Sequence, residues 1–459
     1  MKKKISVIFL ITVIVTMINM CALASEVKLI SPRPKTNSSY SNLENVITST
    51  IDKTIKVQLN GEIIDFTDEQ NNVVNPEIIN DRTMVPMRKI FEMFDANIFW
   101  NNETRTVKAT TEEKEIILTI DSEKAILKNI ESNEEKEITL DAAPVILNDR
   151  TMVPVRFIAE SLEKEVGWDV SNKTVVIVDY DKVESLLKEK VPVLQKIFEL
   201  EVKPLDSFKS ESKIEGKIIY KDPEEKSNNE TIKITGNSEM NVNKEKEMEM
   251  YTNLKFTGKG KITDSLKEAN LEKINFAIIA AGGNIYSMFE IDDEKEWIDL
   301  TSKGIQGIDL NIISEAIKNI KQPKSYKEYI EILKTSLGEL DITTYQKIQT
   351  VIDIMSEIYN EENFEFSGTA AKKTVKYELD IISFLESLLG EIMNSIEGVE
   401  LKVSMTEKII DKTVDSVNAE ILIAFEEAET KESLEMNIEF DMEFDKINKD
   451  FDIKLPEIE

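Results

Sequence analysis

The stretch Asn80-Asp81-Arg82-Thr83-Met84-Val85-Pro86-Met87-Arg88 occurs a second time as Asn148-Asp149-Arg150-Thr151-Met152-Val153-Pro154-Val155-Arg156. The copies differ only at Met87 against Val155, and every position recurs at an offset of 68, from 80 to 148. Identity sustained at a fixed offset marks an internal duplication, and its flanks define the repeated unit.

Working outward, Val57, Leu59, Ile63 and Ile64 flank Asn60-Gly61, a two-residue hairpin signal. Pro76 to Asn80 reads as a short connection. Pro86 stands where a helix begins, a place proline tolerates because its missing N–H has no helical partner there. Ile90, Phe91 and Phe94 supply that helix's apolar face. Ile98-Phe99-Trp100 then reads as a strand, Asn101-Asn102-Glu103 as a turn and Thr106 to Ala109 as the return.

The second unit follows the same order. Ile116, Leu118 and Ile120 lead through Asp121-Ser122 to Ala125-Ile126-Leu127, which reads as its first hairpin. An insertion around Asn133 to Lys136 follows, and Pro144, Ile158, Glu160, Val166, Trp168 and Val175 then match Pro76, Ile90, Glu92, Ile98, Trp100 and Val107. Each unit is hairpin, short helix, hairpin, over about 55–110 and 115–179. Neither is large enough to bury much alone, so a shared core is expected.

This pattern resembles the copper amine oxidase N-terminal-like domain, in tandem copies over about 55–180. The resemblance rests on Asn-x-Arg-Thr-x-Val-Pro-x-Arg, the Ile-Phe-Glu and Phe-Ile-Ala-Glu helices, Trp100-Asn101 and Trp168-Asp169, and the closing Thr-Val strands. One departure is that Phe94-Asp95 and Leu162-Glu163 replace the usual Leu-Gly exit from the helix. The resemblance implies a module common in secreted proteins of Gram-positive bacteria. In the oxidases it is a stalk outside the catalytic domain.

Composition narrows the chemistry. The chain has 459 residues, no histidine and one cysteine, Cys21. Copper amine oxidase activity requires histidine ligands and is excluded. Histidine- and cysteine-based metal sites and nucleophile pairs are excluded with it, so no metal or other cofactor is expected. A hydrolase using carboxylates alone is the catalytic class that remains. The formal charge of -30 excludes nucleic acid as a partner.

Lys2-Lys3-Lys4, an apolar run from Ile5 to Ile18 and Ala22-Leu23-Ala24 read as a signal peptide over 1–25, with retention as an anchor the alternative. The expectation is a secreted or cell-surface protein with no transmembrane segment in its mature chain. Residues 26–54, rich in Ser, Asn, Thr and Pro, read as an exposed lead-in.

After the repeats, residues 181–203 read as a linker helix that Pro192 kinks or splits. Residues 210–455 read as an antiparallel β domain carrying helices at about 308–358 and 382–396. Its last run, Leu434, Met436, Ile438, Phe440, Met442 and Phe444, keeps strict period two. The fold class is therefore α+β: a tandem β-hairpin/helix/β-hairpin domain, then a larger antiparallel sheet with a helical insertion. Strand length and order in the second region are similar to the LolA-like half-barrels of bacterial lipoprotein carriers, which would imply an enclosed hydrophobic ligand.

Candidate residues follow from these units. Arg88 and Glu92, like Arg156 and Glu160, lie four apart on a helix and suit an ion pair, or a recognition pair. Asp81-Arg82 and Asp149-Arg150 suit turn and helix-start contacts, or a ligand. Trp100 and Trp168 suit core packing, or stacking on cell-wall sugars. Pro86 and Pro154 complete the structural set. Asp292-Asp293-Glu294 with Glu296 reads as a solvated turn, with calcium the alternative. Met248, Met250, Met436, Phe440 and Met442 face one side of their strands and suit a core, or the lining of a hydrophobic-ligand site. The expected function is a non-catalytic binding or scaffold protein of the cell envelope. Its expected partner is a cell-wall or envelope component. The alternative is an extracytoplasmic carrier of a lipid or other hydrophobic small molecule.

Overall fold

The computed structural model describes residues 54–67, 71–203, 205, 207–245, 247–291, 294–299, 323–380, 399–427, 430–445 and 448–456. The signal-peptide segment, the lead-in to residue 53, the helix expected at 382–396, residues 308–322 and Asp292-Asp293 lie outside them. Strands and helices are mixed in several sheets, an α+β protein. No helix among the described residues is long and apolar enough to cross a membrane. The chain divides into two compact units. One comprises the described residues of Ser31–Lys190 and Tyr326–Asp353, the other those of Val191–Ser325 and Ile354–Glu459.

In the first unit the chain forms β1 (Lys56–Leu59), β2 (Glu62–Ile63), β3 (Glu77–Ile79), β4 (Arg82–Pro86), α1 (Met87–Met93), β5 (Asn97–Asn101) and β6 (Thr106–Thr110). It continues with β7 (Lys114–Thr119), β8 (Lys124–Asn129), β9 (Glu135–Thr139), β10 (Val145–Leu147), β11 (Arg150–Pro154), α2 (Val155–Ser161), β12 (Glu165–Asp169), β13 (Thr174–Val178) and α3 (Tyr180–Lys190). The run β4, α1, β5, β6 recurs as β11, α2, β12, β13 at the offset of the sequence motif.

The motif itself corrects the sequence reading. Its Asn-Asp pair is the turn of a hairpin, not a helix-start contact. Asn80 and Asp81 have φ of 51° and 58°, and Asn148 and Asp149 have 50° and 58°. Two successive left-handed residues make the tight turn that suits strand twist, and Asn and Asp tolerate that region better than other side chains. The expected connection before it contains a strand, β3. The centre of the motif is also a strand, so Pro86 and Pro154 end strands and precede the helices by one residue.

The two motif strands pair with each other antiparallel: Met152 with Pro86, Val153 with Val85, and Pro154 with Met84. Alternation along these strands serves two cores. Val85 and Val153 face the large cluster with Ile90, Phe91 and Ile158, while Met84 and Met152 face a smaller one with Ala142.

The outer hairpins are shared between repeats. β1 lies parallel to β13, in the order β12-β13-β1-β2. The counterpart sheet runs β5-β6-β7-β8-β9, with every neighbour antiparallel. There β8 runs parallel to β6 with β7 between them. Lys124 and Leu127 of β8 also stand at the motif's offset from Lys56 and Leu59 of β1. The partner of the first hairpin is therefore β8–β9, and β7 is an added strand, which shifts the start of the second repeat from 115 to 124.

The second unit opens with α4 (Val193–Phe198), separated from α3 by Pro192. It continues through β14 (Phe208–Lys221), β15 (Glu230–Val242), β16 (Met248–Thr257), α5 (Lys261–Glu268), β17 (Lys273–Ala281), β18 (Asn284–Ile291) and β19 (Glu294–Asp299). Later in the chain, α6 (Tyr326–Leu337) and most of α7 (Thr344–Ile358) belong to the first unit, and the second resumes with β20 (Phe364–Gly368), β21 (Lys372–Asp380), β22 (Val399–Ile410), β23 (Thr413–Glu426) and β24 (Ser433–Asp445). The strands form one 11-stranded antiparallel sheet, β19-β18-β17-β16-β15-β14-β24-β23-β22-β21-β20. The chain starts mid-sheet, meanders to one edge, re-enters at the other edge and returns to the middle. Gly216 and Gly236 let the long strands coil tightly, since a Cβ at Gly236 would lie 2.1 Å from Asn253 O.

The helical insertion departs from the expected domain boundary. Residues 326–353 group with the repeats, not with the sheet. Tyr329, Ile330 and Leu333 of α6 are buried as that helix packs on α3. Lys334 lies 4.8 Å over the Tyr180 ring, and the α6–α7 loop reaches β12, where Ile342 N–H donates to Asp169 Oδ2 at 3.3 Å.

Candidate functional site

A cleft of about 450 Å³ opens where the two motif copies meet. Asp81, Arg82 and Thr83 come from the first copy, and Pro154, Val155 and Arg156 from the second. Ile78, Asp141 and the Val166-Gly167-Trp168 edge complete the wall. The pairing of β4 with β11 makes this convergence possible, because it sets the turn of one copy beside the helix start of the other.

Arg82 is held in place. Its Nε is paired with the Asp141 carboxylate, and Nη1 donates to Asp81 O at 3.0 Å. Arg156 is exposed on the surface of α2 and, among the described residues, its guanidinium makes no ion pair or hydrogen bond. The Asp81 carboxylate is likewise exposed and uncommitted among the described residues. Trp168 sits on an edge strand with 37% of its surface in water. The cleft thus offers a half-open indole face, a fixed Arg–Asp pair, one uncommitted cation and one uncommitted anion. It can grip a polar ligand. Among the described residues, it holds no arranged nucleophile and base.

Of the other motif residues, Pro86, Arg88, Glu92, Trp100, Asp149, Arg150 and Glu160 do not line this cleft. Trp100 is also 37% exposed, so neither indole fills the core as expected. Arg88 and Glu92 are exposed and unpaired with each other, as are Arg156 and Glu160, among the described residues. The helix ion pairs read from spacing are therefore not made. Pro86 and Pro154 are buried. Arg150 is half-buried, and its Nη1 donates to Asp149 O at 3.3 Å, the counterpart of the Arg82–Asp81 contact. Asp141, Ile78 and Gly167 went unnoticed in the sequence, because nothing local ties them to the motif.

Met248, Met250, Met436, Phe440 and Met442 are all buried in one apolar cluster on a single face of the 11-stranded sheet. Buried carboxylates are spent on structure. Glu230 accepts Ile262 N–H and Thr263 N–H, each at 2.8 Å, and the Thr263 hydroxyl, fastening the start of α5. Asp179 accepts from Lys164 Nζ at 2.8 Å and from Asp181 N–H at 3.1 Å. Burial pushes the Lys164 ammonium down, but its bonds to Asp179 and Asp181 outweigh that and hold it above the ordinary lysine range. Glu407 accepts from Tyr377 Oη at 3.3 Å. Among the described residues no group of three or more acidic, histidine or cysteine side chains could hold a metal.

Residues 58–177 match the family model of the copper amine oxidase N-terminal domain. That one match spans both copies of the motif, and the domain is not catalytic in its own right. No curated protein matches the chain.

Proposed function

We propose that this protein is a non-catalytic binding protein of the cell envelope, exported by its N-terminal leader, with the duplicated module of residues 56–178 as the binding part. The observation that carries this reading is the cleft between the two motif copies. A half-exposed indole beside uncommitted ionic groups, in a concavity of this size, suits a polar polymer better than it suits chemistry. The match to a non-catalytic domain agrees with it. So does the basic-then-apolar start of the chain, which suits export.

Co-sedimentation of the purified chain with isolated cell walls, at low and at moderate salt, tests this. Most of the protein is expected in the pellet at both. A chain that stays wholly in the supernatant at both overturns the reading. The complete chain is required, because residues 326–353 pack as part of the module's unit.

A second reading is a carrier of a lipid or other hydrophobic molecule. Its support is the long antiparallel sheet with one continuous apolar face bearing Met248, Met250, Met436, Phe440 and Met442. Native mass spectrometry of protein purified without detergent would then reveal a co-purified ligand of defined mass.

A further inference from the structure

We propose that the cleft is a subsite for a carboxylate-bearing sugar within a polysaccharide, with Trp168 as the platform, Arg156 as the contact to the sugar's acid group and Asp81 as the acceptor for its hydroxyl or amide hydrogens. This rests on the envelope-binding reading and assigns its ligand.

The assignment follows from which groups are already committed. Arg82 and Asp141 neutralise each other and form a fixed wall. Among the described residues, the charges left over, Arg156 and Asp81, come from opposite motif copies and line the same concavity. A guanidinium recognises a carboxylate through two parallel N–H donors. A carboxylate beside it accepts from hydroxyl or amide groups. The indole offers a flat apolar surface for the C–H face of a pyranose.

Alternative ligands fit less well. A neutral sugar would meet Arg156 only through hydroxyl or amide oxygens, which accept more weakly from a guanidinium than a carboxylate does. A polyphosphate or nucleic acid, charged on every unit and without acetamido groups, would set phosphates against Asp81 and Asp141 inside the cleft.

The first repeat supplies the control. Phe99 stands where the second has Gly167, and it is 64% exposed beside Trp100. Val73 stands where the second repeat has Asp141, counting by the motif's offset. The corresponding positions of the first repeat thus carry an exposed phenyl ring and a valine in place of the Asp141 carboxylate.

The test titrates the full chain by calorimetry with three soluble probes: a neutral chito-oligosaccharide, an oligosaccharide in which lactyl-carboxylate amino sugars alternate with neutral ones, and an oligogalacturonate. The carboxylated amino-sugar oligomer is expected to bind at least tenfold more tightly than the neutral one. Oligogalacturonate, acidic but without acetamido groups, is expected between them. Arg156→Gln should bring the acidic probe down to the neutral level, Trp168→Ala should abolish binding of all three, and Trp100→Ala should change none. Arg156 is exposed on α2, so its variant retains the fold. Equal affinity for acidic and neutral probes overturns the assignment, as does an unchanged Arg156→Gln. Sedimentation separates this failure from that of the broader reading. If wild type and both cleft variants pellet equally with cell walls, only the ligand assignment falls. If wild type does not pellet, the envelope reading itself falls.

Discussion

Val85 pairs directly with Val153, its own counterpart in the second copy of the motif. Their neighbours pair reciprocally, Met84 with Pro154 and Pro86 with Met152, so an internal two-fold axis passes through this contact. The two copies of the motif thus share one centre. Each repeat's strands finish the other's sheet.

Because both valines are fully buried and touch, their contributions should couple. Val85→Ala and Val153→Ala are each expected to cost about 2 kcal/mol through lost burial and the cavity left behind. The double variant should differ from the sum by at least about 0.5 kcal/mol, because the second truncation enlarges a cavity the first has opened. Urea denaturation in a Trp297→Phe background, where only Trp100 and Trp168 report, checks this.

Gly167 is tied to the α6–α7 loop by lack of space. A Cβ there would stand 2.6 Å from Leu340 Cβ and 2.9 Å from Leu340 O. Backbone cannot give way as a side chain tip can. Gly167→Ala should therefore cost about 1–3 kcal/mol and speed proteolytic cutting in the segment from Gly338 to Thr343. An unchanged cutting rate would mean that the loop does not rest on β12.

Acid should loosen the same junction. Burial raises the Asp169 pKa, but the Asn172 side chain and the backbone N–H groups of Asn172, Ile342 and Ser171 outweigh it and hold the carboxyl below its ordinary 3.8. A group depressed on folding stabilises above its unfolded value, and that contribution fades as pH falls through the folded value. The stability gap between wild type and Asp169→Asn should thus be constant above about pH 5 and narrow below the ordinary value. Denaturation midpoints across acid pH measure the gap. A gap that widens in acid would show the sign to be wrong.

In the second unit, Glu230→Ala removes the acceptor for two backbone N–H groups and one hydroxyl at the start of α5. About 2 kcal/mol is expected, the range for a lost helix cap that leaves a buried donor unmet. Faster amide exchange at Ile262 and Thr263, with β14 and β15 unaffected, is the signature.

The repeat was legible because a duplicated unit repeats its own local rules. The Asn60-Gly61 turn, the helices after Pro86 and Pro154 and the Trp-bearing strands are all in place. The strand inside the motif has its own hairpin signature, Asn80-Asp81 between Ile78-Ile79 and Thr83-Met84-Val85, but Pro86 masks it by also suiting a helix start. Reading Pro86 as a helix start placed the boundary too early. β7 passes for half of the second hairpin because its Ile116 and Leu118 alternate as well as any paired strand, and alternation does not name a partner. The parallel pairing of β1 with β13 and the return of α6 to the module depend on contacts distant in sequence, which no local pattern encodes. The cleft was hidden for the same reason: Asp81 and Trp168 come together only through β4 and β11.

The most direct test is amide hydrogen exchange of the full chain with and without a soluble cell-wall digest. Slowed exchange confined to residues 78–83 and 154–168, the segments that wall the cleft, is the predicted result. Slowed exchange confined to the strands from β14 to β24, with none in the cleft segments, would contradict the account and favour the carrier.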